Sequence, residues 1–320
     1  MNLGTPQDPT FFAVRKFLRQ FLWDPRVVEI PRLLWWLILQ GIVLPFRTPR
    51  LVKLYRQIWT RDGSPLQVFT ERLANKVAEH FSKRVTSEIS VFYAMTYGTP
   101  TVKHALKQIE GLRVARLIVV PLFPQYSATT TGAVFDKLVD QLKSQRYIPS
   151  IHFVNDYAGE ENYLQALAQS ITQTWRAHGR SERLLFSFHG IPLRNEQLGD
   201  PYPERCKHVA SRVAEILNIP ENFWDFSFQS RFGFSPWRGP NTEERLLKWA
   251  GEGVKSVSVI SPSFAVDCLE TLEELDIKNR KCFLNAGGEC YHYIPALNDT
   301  SNHTQVLTSL IENFFKKNIE

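Results

Sequence analysis

Leu184-Leu185-Phe186-Ser187-Phe188-His189-Gly190-Ile191-Pro192 decides how the rest of this chain is read. Apolar and small side chains run without a break into a histidine and then Gly-x-Pro, the pattern of a buried strand that stops abruptly in a loop. His189 is thereby placed at the C-terminal end of a strand. In open α/β sheets ligands bind along that edge, because strand ends and the following helix N-termini leave a crevice there. A histidine in that place can serve as a base, as a metal ligand, or as a core residue hydrogen-bonded through both ring nitrogens. On its own it reads as the core residue.

Around this strand the chain alternates. An apolar run at 89–97 ends in Tyr97-Gly98-Thr99-Pro100, and a helical stretch leads to Arg116-Leu117-Ile118-Val119-Val120 followed by Pro121-Leu122-Phe123-Pro124. A helix at 131–145, the strand Ile151-His152-Phe153-Val154 and a helix at 161–175 come next. After the histidine strand, residues 257–260 close in Ser261-Pro262-Ser263-Phe264, and Tyr291-His292-Tyr293-Ile294 is followed by a helix at 304–315. Strand and helix in alternation are the signature of a parallel sheet. Matching His-Gly-Ile-Pro to Tyr-Gly-Thr-Pro, and Ser-Pro-Ser-Phe to Val-Pro-Leu-Phe, reads the chain as two similar α/β domains facing a central cleft, a preferred place for a ligand. The first domain is expected over 1–158, joined by a C-terminal helix at 304–317, and the second over 159–303. Neither half carries GxGxxG or GxxxxGK[ST], which argues against a dinucleotide or a P-loop nucleotide.

Composition narrows the partners. With 38 basic and 32 acidic residues among 320 the formal charge is +6, and no basic block is concentrated enough for nucleic acid. Cys206, Cys268, Cys282 and Cys290 lack CxxC spacing and read as reduced thiols of a cytoplasmic protein. Residues 1–20 lack the pattern of a signal peptide. Met1-Asn2-Leu3-Gly4-Thr5-Pro6 reads as the tail of a strand entering a loop, and residues 10–22 as an amphipathic helix.

The most apolar stretch, 33–46 (LLWWLILQGIVLPF), is bounded by Arg32 and Arg47. It is shorter than the roughly 20 residues that span a bilayer. Three readings stand: a buried core helix, a lip over an apolar ligand, or a patch dipping into the inner face of a membrane. Trp35 and Trp36 with flanking arginines suit a flat ligand with an apolar body and acidic edges.

A second stretch changes the reading of His189. Asp267-Cys268-Leu269-Glu270-Thr271-Leu272-Glu273-Glu274-Leu275 opens a helix at a strand end, with Glu270 and Glu274 on one face. Asp267 with Glu270 also fits a capping box, which would make the acid structural. His189 and Glu270, however, both follow strand ends of one domain and should face one crevice. Imidazole and carboxylate there can hold a divalent metal weakly and move protons, with Glu274 behind to pass them outward. The set lacks the third and fourth ligands of a permanent structural metal site.

With these motifs the chain resembles the ferrochelatase family, whose members insert ferrous iron into protoporphyrin to make haem. The resemblance is carried by Asn-Leu-Gly-Thr-Pro at 2–6, Gly63-Ser64-Pro65, PLFPQYS at 121–127, FHGIP at 188–192, GDPYPER at 199–205, FQSRFG at 228–233 and DCLETLEE at 267–274. It implies two Rossmann-like domains, each with a doubly wound parallel sheet, in a chelatase-like arrangement. Protoporphyrin IX and ferrous iron are the implied substrates, and the chain is expected to act as a monomer. Carried over by position, His189 and Glu270 become the iron-binding and proton-removing pair, with Glu274 beside them. Arg47, Tyr55, Ser64, Tyr97 and Tyr126 fall where the family contacts porphyrin, and 33–46 falls on its active-site lip. Thr96 stands where many members have arginine, and the strand that most members carry before Asn-Leu-Gly-Thr-Pro is not in this sequence. Some members hold a 2Fe-2S cluster through a cysteine at the position of Ala128 and three more near the C-terminus. None of those cysteines is present, so no cluster and no permanent cofactor are expected. The same residues leave a chelatase for coproporphyrin or sirohydrochlorin, or a non-catalytic porphyrin carrier, as alternatives.

Overall fold

The structure is a computed structural model that describes residues 1–83, 89–231 and 236–317. The chain divides into two compact units. The first comprises Met1–Phe123, Ser127–Asn155 and Leu310–Glu320, and the second Pro124–Tyr126 and Asp156–Ser309. The C-terminal helix Ser301–Lys317 is therefore divided between them, and only its later part belongs to the first.

In the first unit β1 (Arg116–Val119) and β2 (Ser150–Phe153) pair in parallel. In the second, β3 (Arg183–His189), β4 (Trp224–Gln229), β5 (Ser256–Ile260) and β6 (Cys290–Ile294) form one parallel sheet in the order β4-β3-β5-β6. Central β3 is buried from Leu184 through Phe188, which accounts for its unbroken apolar run. Leu185, Val257, Val259 and Tyr291 pack with Leu246, Trp249, Leu275 and Phe283 into the core of this unit.

Sequence periodicity missed β4. Its residues, Trp-Asp-Phe-Ser-Phe-Gln, alternate polar with aromatic and resemble an exposed edge, yet Ser227 and Gln229 are buried. Conversely, residues 89–94 form no strand. Strand-like backbone pairing begins at Ala94 and Met95, where Asn2 N–H donates to Ala94 O at 3.0 Å and Asn2 bridges Met95.

Those contacts correct the internal match. Residues 1–3 lie between 94–97 and 120–122: Thr96 and Tyr97 N–H donate to the carbonyls of Asn2 and Leu3, and Leu122 N–H to that of Met1. The succession 94–97, 1–3, β1, β2 thus repeats β4, β3, β5, β6. Met95 N–H donates to Pro100 O as Phe228 N–H donates to Pro240 O, and each proline is followed by a capping residue, Thr101 or Asn241. Asn2-Leu3-Gly4-Thr5-Pro6 is accordingly the counterpart of Phe188-His189-Gly190-Ile191-Pro192. Tyr97-Gly98-Thr99-Pro100, expected in that role, matches the chain after Gln229 instead. The match of Val-Pro-Leu-Phe to Ser-Pro-Ser-Phe also shifts by one, so that Leu122 aligns with Pro262. Proline has no N–H to donate, and the Ser261 hydroxyl bonds to the Ser187 carbonyl in its place at 2.6 Å.

The apolar stretch at 33–46 forms helix Arg32–Ile38, a π-helical turn Leu39–Val43 and the start of helix Leu44–Ile58. It is a core helix on one side only. Trp35, Leu39 and Leu44 are buried, while Leu33, Leu34, Trp36, Leu37, Ile42 and Phe46 are exposed. The tryptophan pair is split, because Trp35 Nε1 donates to Leu22 O at 2.7 Å inside the unit. The amphipathic helix expected at 10–22 is Phe11–Leu22, capped by Thr10.

Candidate functional site

β3 delivers His189 to the C-terminal edge of the second sheet, where its N–H donates to Ser263 Oγ at 3.0 Å. Its Nδ1 lies 2.7 Å from Gly190 O. A carbonyl only accepts, so Nδ1 carries the hydrogen and the Nε2 lone pair is left for a proton or a metal. The side chain is half-buried, with Phe264 edge-on at 6.1 Å. A core histidine bonded through both nitrogens is not what forms here.

Glu270 and Glu274 stand on a π-helix, Glu270–Asn279, rather than on the α-helix that their spacing suggests. An i→i+5 winding still sets residues four and five apart on one face, so the two acids remain in a row. Lys278 continues it and pairs with Glu243 at 2.6 Å. Burial works against the Lys278 charge, but the hydrogen bond and field of Glu243, with Glu274 behind, leave its pKa raised.

Strand β4 links these acids to the histidine. Gln229 is paired in register with His189, and its side-chain amide donates to Glu270 O at 2.9 Å. Ser230 follows in the left-handed region at φ 63°, an unusual conformation for a residue with a Cβ. Its N–H donates to Glu274 Oε1 at 3.0 Å and its hydroxyl to Oε2. Both oxygens of Glu274 are thus held by one residue. Gln229 and Ser230 escaped the reading of the residues. Their signal was a polar pair at the end of a run already containing two phenylalanines. Phe232 and Gly233, which close the same motif, lie outside the described residues.

The capping-box alternative fails on geometry. In that motif the glutamate reaches back to the capping residue's N–H, but Asp267 N–H is taken by Asn298 Oδ1 at 2.7 Å. Buried Asp267 instead accepts from Tyr293 Oη at 2.5 Å, Thr271 Oγ1 at 2.9 Å and Asn298 Nδ2 at 2.7 Å. It anchors the entry to the π-helix and leaves the Glu270 carboxylate outside the cap. Burial, reinforced by the negative charge of Glu270, pushes the Cys268 thiol well above its usual range and keeps it protonated. Among the described residues no group of three or more His, Cys, Asp or Glu is arranged to hold a metal ion.

Four of the five positions expected to touch substrate lie in the first unit and Tyr126 in the second. Ser64 is buried and accepts from Thr5 Oγ1 at 2.8 Å, and Tyr55 is buried edge-on to Trp59. Arg47 is half-buried on helix Leu44–Ile58. Tyr97 is buried, and its hydroxyl donates to Asp24 at 2.9 Å. Desolvation and the Asp24 charge raise its pKa, so it stays a neutral donor committed within the unit. Tyr126 is half-buried, with its N–H on Asp156 Oδ2 at 2.9 Å.

Residues 1–314 match the family model described as Ferrochelatase. A ferrochelatase of Nitrosococcus oceani is 47% identical over 97% of this chain and 84% of its own length. One of Methylococcus capsulatus is 47% identical over 98% of this chain and 94% of its own. Among solved structures, SirB from Bacillus subtilis with Fe3+ superposes with a TM-score of 0.55 at 14% identity, covering 78% of this chain and 91% of that one. At that identity the likeness speaks for the fold alone, a chelatase-like α/β architecture.

Proposed function

The chain belongs to the ferrochelatase family, and from that premise we propose that it inserts ferrous iron into protoporphyrin IX to give protohaem, with His189 and Glu270 as the reacting pair. The observation that carries this reading is one sheet edge presenting an imidazole with a free Nε2 lone pair beside a π-helix whose first residue, Glu270, is tied through its carbonyl to Gln229 at the end of the neighbouring strand. In the reaction two pyrrole N–H protons leave and one ferrous ion takes their place, so the net charge of the ring complex is unchanged. The site must therefore hold a dication and accept two protons. Neutral imidazole can bind iron or take a proton, and Glu270 backed by Glu274 supplies anionic acceptors for the protons and attraction for the metal. A ring bound in a bent form, nearer the transition state than the flat ring, turns its nitrogen lone pairs outward and lowers the barrier. Iron is a substrate in this scheme, and no resident cofactor takes part.

Arg47, Tyr55, Ser64, Tyr97 and Tyr126 are proposed to shape the porphyrin site. The exposed side of 33–46 would cover the apolar ring and touch the inner face of the membrane peripherally. No helix among the described residues is long and apolar enough to cross a membrane. The proposed setting is the cytoplasm, with the chain as a monomer.

The test is anaerobic insertion of ferrous iron followed by loss of porphyrin fluorescence, in wild type, His189→Ala and Glu270→Gln. Turnover in wild type that is lost in both variants, with porphyrin still bound, supports the proposal. Porphyrin binding without turnover in wild type refutes it and favours a carrier.

A further inference from the structure

Below the reacting pair lies a row of buried polar groups that the reaction does not itself need. Ser227 Oγ is 2.9 Å from Thr242 Oγ1, which is 2.8 Å from Ser187 Oγ, which is 2.7 Å from Gln229 Oε1. Gln229 Nε2 completes the row on the Glu270 carbonyl at 2.9 Å. All four side chains are at most 1% exposed. Polar groups removed so fully from water are costly unless hydrogen-bonded, and each of these is.

The carbonyl at the end fixes the direction of every bond. Glu270 O can only accept, so the Gln229 NH2 group must face it, and Oε1 must face Ser187. Ser187 then spends its single hydrogen on Oε1. Thr242 must donate to Ser187, and Ser227 to Thr242. The result is a chain polarised from β4 through the start of helix Thr242–Gly251 and central β3 to the first residue of the π-helix. Hydrogen bonds aligned in one sense strengthen one another, and in a dry interior they resist reorientation. The Gln229 carbonyl is engaged as well, accepting from Gly190 N–H at 2.7 Å, directly after His189.

We infer that Gln229 is a positioning residue for the proposed iron insertion: held in one orientation by the Ser227–Thr242–Ser187 chain, it sets the first turn of the π-helix, and with it Glu270, against the His189 strand. The inference rests on the proposed function for its kinetic consequence and on geometry alone for its structural one. Its counterpart in the first unit is Thr96, whose hydroxyl only reaches back to Asn2 O at 3.0 Å and holds no helix.

Two variants of the full chain test it. Gln229→Met keeps the length of the side chain and loses the donor, and Thr242→Val keeps the shape and breaks the row two bonds away. Hydrogen exchange should show backbone amides of 270–279 opening ~10-fold faster in Gln229→Met, with β3 and β5 amides unchanged, and a smaller effect in Thr242→Val. In steady state kcat should fall about 10- to 100-fold in Gln229→Met while porphyrin KM stays within about twofold, the pattern of a displaced reacting group rather than a lost binding site. Unchanged exchange at 270–279 in both variants overturns the inference. So does a kcat loss that merely tracks a fall in Tm. Should Gln229→Met not fold, Thr242→Val decides by the same two readings. A wild type that inserts no iron would overturn the proposed function, and the exchange measurement would still decide whether Gln229 holds the helix.

Discussion

His303 makes the anchoring of the π-helix sensitive to acid. The side chain is fully buried, and its Nδ1 lies 2.6 Å from Asn298 O, so that nitrogen carries the hydrogen. Nε2 has no partner, and a second proton there would be buried without an acceptor. Burial accordingly lowers the imidazole from 6.5 to about 4, despite the opposing hydrogen bond to Asn298. Because the folded value lies below the unfolded one, the unfolded chain binds more protons between them, and stability falls as pH drops through that window. With these two values the loss between pH 7 and pH 5 is about 2 kcal/mol, approaching about 3 kcal/mol near pH 4. The consequence reaches the site, since Asn298 brackets Asp267 with its Oδ1 on the N–H and its Nδ2 on the carboxylate. Urea unfolding should be followed at pH 7, 6 and 5 in wild type and in His303→Asn, which retains a donor toward Asn298 O. The variant starts lower at pH 7 because of the cavity, but the wild-type curve should descend toward it by about 2 kcal/mol. Parallel curves would refute the assignment of this acid sensitivity to His303.

Gly190→Ala should be costly, because its Cβ would lie 2.6 Å from the Gln229 carbonyl and 3.0 Å from Trp237 Cε3. Neither neighbour is a flexible chain end, so a stability loss of about 1–3 kcal/mol in urea unfolding and a fall in iron insertion are expected, and an unperturbed variant would contradict the close approach of β3 to β4. Thiol titration with a disulfide reagent should separate the four cysteines. Cys282 and Cys290 are partly exposed and should react in the native protein, whereas Cys206 and Cys268, buried and pushed well up by desolvation, should react only on unfolding. Rapid reaction of all four would show the core more open than described.

Much of the fold was legible because strands rich in apolar residues stand out between turn signals, most plainly in β3 and β5, which are buried almost throughout, and β1, β2, β3, β5 and β6 each fall within a residue or so of the apolar runs that announce them. β4 was not legible, because its polar residues are buried to serve one another. Ser227 and Gln229 are satisfied by Thr242, Ser187 and a helix carbonyl, partners that no local pattern reveals. The same blindness governed the site. His189, Glu270 and Glu274 were readable as residue types at strand ends and at a helical spacing. Ser230 and Gln229 act through hydrogen bonds to residues some forty positions away. The π-winding was hidden as well, since i and i+4 share a face in either helix.

The corrected internal match explains why one unit holds the candidate chemistry and the other does not. Both units bring a strand end with glycine next in sequence against a neighbouring carbonyl: a Cβ on Gly4 would lie 1.7 Å from Tyr97 O, and one on Gly190 2.6 Å from Gln229 O. Both also follow the next strand with a π-wound segment, Ala128–Gly132 in one and Glu270–Asn279 in the other. The scaffold is therefore common, and the difference lies in what is mounted on it. Leu3 occupies the place of His189, Thr96 that of Gln229, and the π-turn of the first unit offers Thr129, Thr130 and Thr131 where the second offers Glu270, Glu273 and Glu274. Hydroxyls can hold a ligand but cannot take up two protons near neutral pH, whereas imidazole and carboxylate can. On this reading the strand-and-glycine frame builds the crevice, and the residues that differ on that frame set where protons and metal can go.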